Sequence, residues 1–325
     1  MYRGSPFEDN EPFAFGRLPP AGALGSVFKD RRVVDHGQVL RRHELTVQER
    51  ELLAPLMPRA ATGRPRVADR QVVKGMVCKI RTGVSWRDLP ERCGPWKTVC
   101  TRFRRLRPRR RLHPGSAADP GPGGRGWRHR LAGPDRLHRR PRPPGRRRHR
   151  PKRGQHHQDE PDDHALGRSR GGLTTKIHLA CDGKGRPLAI LLTPGQRHDG
   201  ICARPLLERI HVPRTGLGRP RCRPDHVVAD KACSSRGFRS YLRRRGLAHT
   251  TPEKADQQRH RHNRGRHGGR PPAFDRRIYR QRNMIERCFN RLKGFRGIAT
   301  RYDKTATSYE AAVTLASFLL WARSV

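Results

Sequence analysis

The chain has 325 residues, with Lys+Arg 73 against Asp+Glu 28, and so carries a formal net charge of +45 at pH 7. Only 33% of the residues are hydrophobic, so the length suffices for about two domains but the apolar material cannot give every segment a core. A field of this sign repels cations and draws polyanions, which makes nucleic acid the default partner.

No run of 18 apolar residues occurs, and the stretch from Met1 to Glu11 has no apolar signal region. A membrane span and a secretory signal are therefore unsupported, and a cytoplasmic, nucleoid-associated protein is expected. The eight cysteines form no CxxC pair and read as reduced thiols. Residues 1–43 mix Pro, Gly, Phe and charge without a sustained period, as a disordered extension would. A helical unit is expected over 44–106. Thr46 and Glu49 form a capping box before the stripe Val47, Leu52, Leu53 and Leu56. After a basic loop with Arg64 and Arg66, Asp69 opens a second helix with Val72, Val73, Met76, Val77 and Ile80 inward, ended by Gly83. A third helix starts at Pro95-Trp96, with Val99, Cys100 and Phe103 inward and Arg102, Arg104 and Arg105 outward. Three short helices joined by basic loops suit a helix-turn-helix-like DNA-binding unit, or a plain trihelical packing domain.

Residues 107–150 contain 15 Arg and 2 Asp with 8 Pro and 7 Gly, and no Val, Ile, Phe or Tyr. Such a composition predicts a disordered basic segment, here taken over 107–163. Regular structure resumes in a last region, 164–325. Thr175, Ile177 and Leu179 alternate with polar neighbours, and a Gly183-Lys184-Gly185 turn leads into the apolar run Pro187 to Thr193, together a hairpin. A helix near 205–210, a strand Val227 to Asp230 and a helix near 234–245 follow, which indicates a mixed α/β (α+β) domain. Gln257 to Pro272 reads as a Gly/Arg/His-rich loop, Asp275 to Lys293 as one long helix, and Tyr309 to Trp321 as a closing apolar helix.

On an unbroken helix from Asp275, the residues Tyr279, Arg282, Glu286 and Lys293 fall on one face, beside the apolar arc Ile278, Ile285, Phe289 and Leu292. Taken alone, Arg282 and Glu286 also fit an ordinary i, i+4 ion pair. Asp230, at the end of an apolar strand, adds a second carboxylate. Carboxylates on separate packed elements are what a hard divalent ion requires, and a two-metal phosphoryl-transfer site needs a third.

The spacing Tyr279-x2-Arg282-x3-Glu286-x6-Lys293 resembles the C-terminal signature of DDE transposases from bacterial insertion sequences of the four/five group. Val228 to Ser235 is similar to the segment bearing that family's second aspartate. Thr193 to Asp199 is similar to its strand-end His-Asp motif, here His198 and Asp199. The resemblance extends over His164 to Gly172 and over the helical unit, including Gly83 to Pro90. It implies an RNase H-like mixed-sheet catalytic domain. Asp230 and Glu286 would be catalytic ligands of Mg2+ or Mn2+ in a two-metal site, and Tyr279, Arg282 and Lys293 would lie near DNA. It further implies binding of terminal inverted repeats and target as double-stranded DNA, strand cleavage and strand transfer, by a homodimer when active. Arg64, Arg66, Arg102 and Arg104 are the helical unit's DNA-facing candidates.

The family's first aspartate, within Asp-Ser-Thr-Val-Val-Arg-Ala-His-Gln at the end of a first strand, has no counterpart in this sequence. Arg136 to Gly145 can be encoded as CGA CTC CAC CGT CGT CCG CGC CCA CCA GGC, and a shift of one nucleotide reads GAC TCC ACC GTC GTC CGC GCC CAC CAG, which is that motif. The segment thus reads as a frameshifted stretch that replaces the first-strand region and puts Arg136 where the aspartate belongs. Asp119 and Asp135 are the nearest carboxylates, and neither is expected on a strand. Cys100 and Cys233 stand where the family usually has Tyr. A transposase impaired in cutting is expected, with a noncatalytic basic nucleic-acid-binding protein as the alternative.

Overall fold

The computed structural model describes residues 33–35, 38–40, 45–53, 67–105, 128–131, 135–138, 160–169, 172–213 and 219–323. The chain divides into two units, Met1–Arg42 and His43–Val325. In the first, β1 (Val33–Asp35) pairs antiparallel with β2 (Gln38–Leu40), Val33 opposite Leu40. This corrects the reading of 1–43 as wholly without structure. Val33-Val34 and Val39-Leu40 are strand formers.

In the second unit, α1 (Val47–Leu53) begins with the expected capping box: Glu49 N donates to Thr46 Oγ1 at 3.0 Å and Thr46 N to Glu49 Oε2 at 3.1 Å. The helices α2 (Asp69–Thr82) and α3 (Trp96–Arg105) follow, with Leu89 and Cys93 of the intervening segment also buried. The N-cap of α2 is Ala68 rather than Asp69, and the αL residue that ends it is Gly83, at φ 74°.

Seven strands form one mixed sheet. They are β3 (Arg128–Leu131), β4 (Asp135–His138), β5 (Gly167–Ser169), β6 (Gly172–Cys181), β7 (Pro187–Pro194), β8 (His226–Ala229) and β9 (Ala248–Thr250). The long strand β6 has β7 and β5 antiparallel along one edge and β3 and β4 antiparallel along the other. From β3 the sheet continues parallel to β8 and then to β9, so the path across it runs β7-β6-β3-β8-β9.

Strands β3 and β4 overturn the reading of 107–150 as strandless, and Asp135, placed off any strand, is the first residue of β4. Pairing uses backbone N–H and C=O groups, which Arg and His supply as well as Val does. An apolar count therefore misses strands completed by a strong partner such as β6.

The tight β6–β7 turn is held by Asp182, whose Oδ1 accepts from Lys184 N and Arg186 N, each at 2.9 Å. On one side of the sheet, Ile177, Leu179 and Ile190 pack with α1 to α3, with α8 (Asn283–Lys293) and with α10 (Ala306–Ala322). On the other, Ala180, Leu188, Val227 and Ala229 pack with α4 (Ala203–Glu208) and α5 (Arg236–Arg244). The N-terminal helices thus share one core with the sheet. Gly297, on α9 (Arg296–Ala299), lets that helix approach α2 closely, since a Cβ there would lie 2.9 Å from the Ile80 carbonyl oxygen.

Two further corrections concern the C-terminal half. The expected loop 257–272 contains a helix, α6 (Ala255–Asn263), and a 3-10 turn, Gly265–Gly268. The expected single helix from Asp275 is two: α7 (Arg276–Arg280), capped by Asp275 Oδ1 accepting from Arg277 N and Ile278 N, and then α8. Between them Gln281 N and Arg282 N donate three residues back, to Ile278 O and Tyr279 O, so the chain winds through a 3-10 turn before α8 begins.

Candidate active site

Asp230 follows β8 directly and caps the 3-10 turn Lys231–Cys233, its Oδ1 accepting from Lys231 N at 2.7 Å. Glu286 lies in the first turn of α8 with its side chain 47% exposed, and Arg282 Nη1 donates to Glu286 Oε1 at 3.1 Å. An exposed i, i+4 pair of this kind contributes only about 0.3–0.5 kcal/mol, so an incoming phosphate can take the guanidinium at small cost.

Tyr279 sits on α7 and not on α8. A 3-10 turn advances about 120° per residue against 100° for an α-helix, so Tyr279 is rotated relative to Glu286 from the unbroken-helix expectation. It still joins them. Burial raises the Tyr279 pKa, with the nearby Arg282 lowering it and the negative charges of Asp230 and Glu286 raising it further. The strand-end and helix carboxylates therefore bear on one hydroxyl. The Arg282 guanidinium carbon lies 5.9 Å from the Tyr279 ring centroid, and the Phe274 ring is tilted against the same ring at 5.1 Å between centroids. Lys293 is half-buried at the last position of α8.

His198 and Asp199 stand at the entry of a second 3-10 turn, Asp199–Cys202, where His198 Nδ1 accepts from Gly200 N at 3.2 Å. Asp199 Oδ1 takes a 2.6 Å bond from Lys176 Nζ, whose side chain is 4% exposed on β6 and which also donates to Arg197 O. Gly200 is pressed on Ala232, whose carbonyl oxygen would lie 2.8 Å from an added Cβ. The turn after Asp199 and the turn after Asp230 thus abut. Buried Cys233 registers both carboxylates: burial first, then Asp230 and Asp199, push its thiol up to about 12.

Lys176 was not singled out from the sequence; a lysine amid alternating strand residues reads as solvent-facing. The register also places Arg136 of β4 opposite Lys176, and Asp135 opposite Ile177.

The donor chemistry of Asp230 and Glu286 suits a hard divalent ion, but their number does not complete a site. Among the described residues no group of three His, Cys, Asp or Glu comes together to hold an ion.

Of the helical unit's candidates, Arg104 is exposed on α3. Arg102 is not a free surface cation as expected. Its side chain is 12% exposed and donates to Val67 O at 3.2 Å and to Asp69 Oδ1, tying α3 to the start of α2. The packing of α3 against the start of α2 buries what a wheel drawn for α3 alone leaves outside. Arg64 and Arg66 lie outside the described residues.

Residues 45–112 match the family described as "Putative transposase of IS4/5 family", and residues 139–321, more than half of the chain, match "Transposase DDE domain". The "Putative transposase for insertion sequence element IS6501" of Brucella ovis is 34% identical over 151 residues, which cover 46% of this chain and 100% of that protein. The "Putative transposase for insertion sequence element IS402" of Burkholderia cepacia is 30% identical over 192 residues, 58% of this chain and 79% of the relative. Members of the DDE family act on DNA and generally use divalent metal ions. The chain belongs to the IS4/5 family of DDE transposases.

Proposed function

We propose that this chain is an insertion-sequence transposase that grips the DNA of its element's ends and, in its present form, does not cut it. The observation that carries the reading is that Asp230, just past β8, and Glu286, on α8, both act on the Tyr279 hydroxyl of α7, while Arg282, between α7 and α8, bonds Glu286 and lies 5.9 Å from the Tyr279 ring. The sheet path β7-β6-β3-β8-β9, with β3 antiparallel to β6 and parallel to β8, supports an RNase H-like catalytic domain. The basic helices α2 and α3 support a helix-turn-helix-like role in holding terminal inverted repeats, with Arg104 toward phosphate. Two copies, one per end, would form the active assembly.

Loss of cutting follows from charge. Two carboxylates beside several cations cannot supply the oxygen ligands that Mg2+ or Mn2+ needs for in-line transfer, and Arg136 stands where the family motif has aspartate. A cation in place of a ligand removes several kcal/mol of transition-state stabilisation, or about three orders of magnitude in rate and more. What remains to Arg282, Lys293 and Arg104 is phosphate binding, which is salt-dependent and needs no metal.

The test pairs two proteins on a duplex bearing the element's end, in Mg2+ and in Mn2+. The chain as it stands should bind and leave the strands intact. The chain encoded by a gene with the 107–150 reading frame restored should nick at the end, and lose nicking on Asp230→Ala or Glu286→Ala. Cleavage by the unrestored chain, abolished by Asp230→Ala, refutes the impairment. Gene codons that do not permit the shifted reading refute its proposed origin.

A further inference from the structure

We propose that residues 255–270, helix α6 with the 3-10 turn behind it, form an arm that lies along the phosphate backbone of DNA held beside Tyr279, Asp230 and Glu286. The inference rests on the DNA-gripping reading above. Folding has little use for this segment. Its one apolar side chain is that of Ala255, and no residue of α6 is buried. A nine-residue helix, polar all round, has no apolar stripe to dock and is marginal by itself in water. It is held instead at its root, where Arg261 Nη1 donates to both oxygens of Glu253 at 2.5 Å and Arg239 lies 3.7 Å from the same carboxylate.

The charge is one-sided. Five arginines, 259, 261, 264, 266 and 270, face a single acid, Asp256. With Arg261 paired to Glu253, the others are exposed, as are His260, His262 and His267. Gathering like charges on an unburied element costs repulsion, which a polyanion removes.

Both ends of the arm are fastened to the site. At its entry Gln257 Nε2 donates to Ser234 O at 3.3 Å, four residues beyond Asp230. At its exit the chain returns through Phe274, whose ring packs on Tyr279 at 5.1 Å. On this proposal a strand whose phosphate meets Arg282 runs on beside Arg259, Arg264 and Arg266. The arm carries no Phe, Tyr or Trp to stack on bases and its cations are spread along it, so the contact is with backbone and independent of sequence.

The experiment uses the full chain and a fluorescent duplex of arbitrary sequence, with affinity measured across a range of salt. Arg259→Gln, Arg264→Gln and Arg266→Gln combined should make the slope of log K against log salt shallower by about 2 to 3, at roughly 0.9 per phosphate contact. The melting temperature should not move. Replacing the same three by Lys should keep the slope. Removing three exposed arginines elsewhere, Arg219→Gln, Arg243→Gln and Arg244→Gln, should change it by less than one. An unchanged slope in the arm variant, or an equal loss in the control, overturns the arm while leaving the DNA-binding reading intact. Failure of the unaltered chain to bind duplex overturns both.

Discussion

The ion pair between Lys176 and Asp199 gives the most sharply graded prediction. Lys176 is 4% exposed and Asp199 27% exposed, so the two partners are unequally cut off from water. Removing one member of a buried pair costs about 3–5 kcal/mol, most of it the penalty of stranding the other charge. In Asp199→Ala the stranded charge is a buried ammonium left with the Arg197 carbonyl as its acceptor. That variant should lie near the top of the range. In Lys176→Met the stranded charge is a carboxylate that water already reaches and the new side chain refills the space, so about 1–2 kcal/mol is expected. Urea unfolding of the full chain and of each variant, compared at equal m, reads the difference. Equal costs, or Lys176→Met the worse of the two, would refute the claim that uneven burial sets the energetics of this pair. The pair also holds the turn after Asp199 against the turn that Asp230 caps, through Gly200 and Ala232. Destabilisation by Asp199→Ala should therefore come with faster proteolysis between 196 and 235.

Glu49, 2% exposed, bonds Arg81 at 3.0 Å and Arg323 at 2.9 Å, so Glu49→Ala strips the nearly buried Arg81 guanidinium of its carboxylate and should cost about 3 kcal/mol in urea unfolding, whereas Arg323→Ala, at the more exposed partner, should cost under about 1 kcal/mol. Burial lowers the His178 pKa to about 4, with Asp199 opposing and Lys176 and Arg197 assisting. An unfolded histidine titrates near 6.5, so between these values the unfolded state binds the extra proton and stability falls as pH drops, by up to about 1.4 kcal/mol per unit. The pH dependence of unfolding should flatten in that window in His178→Gln, and identical curves would reject the assignment. Two glycines should respond with opposite signs. Gly297→Ala drives a Cβ to 2.9 Å from the Ile80 carbonyl oxygen, backbone that cannot yield, and should destabilise by about 1–3 kcal/mol. Gly237→Ala, in α5 with nothing within 4 Å, should stabilise by about 0.5–1 kcal/mol by thermal melting.

What the sequence made legible was what repeats with a period. The stripes Val72, Val73, Met76, Val77 and Ile80 and Ile285, Phe289 and Leu292 are buried as their spacing requires, and the capping box at Thr46 forms as written. Strand β8 and its carboxylate Asp230 were readable from an apolar run that stops on a charge. The failures share a cause, which is that the missed elements owe their form to partners distant in sequence. Strands β3 and β4 are completed by β6 through main-chain groups. Helix α6 has no stripe to detect, and its Gly/Arg/His composition reads as loop. The break at Gln281–Arg282 occurs without Pro or Gly to announce it. Lys176 and Arg102 resemble surface cations until Asp199 and Asp69 are brought to them.

The shared core bears on how DNA can be handled. The helices α1 to α3 do not hang from the sheet on a hinge. Lys79 of α2, 5% exposed, places its ammonium 5.6 Å from the Trp86 ring centroid and 5.4 Å from that of Tyr302, so a cation from the N-terminal half is sandwiched by an aromatic from each half. Glu49 joins Arg81 of α2 to Arg323, just past α10. Together with the Gly297–Ile80 approach, these contacts fix α2 and α3 against α8 and α9 through buried packing, and interiors packed at crystal-like density do not yield by small increments. Arg104 is thus held at a set offset from Glu286 and Asp230. On the proposed reading, presenting a DNA end to these carboxylates is a rigid-body event, and any motion needed to admit the strand falls to elements outside the core, such as α6, which buries none of its residues.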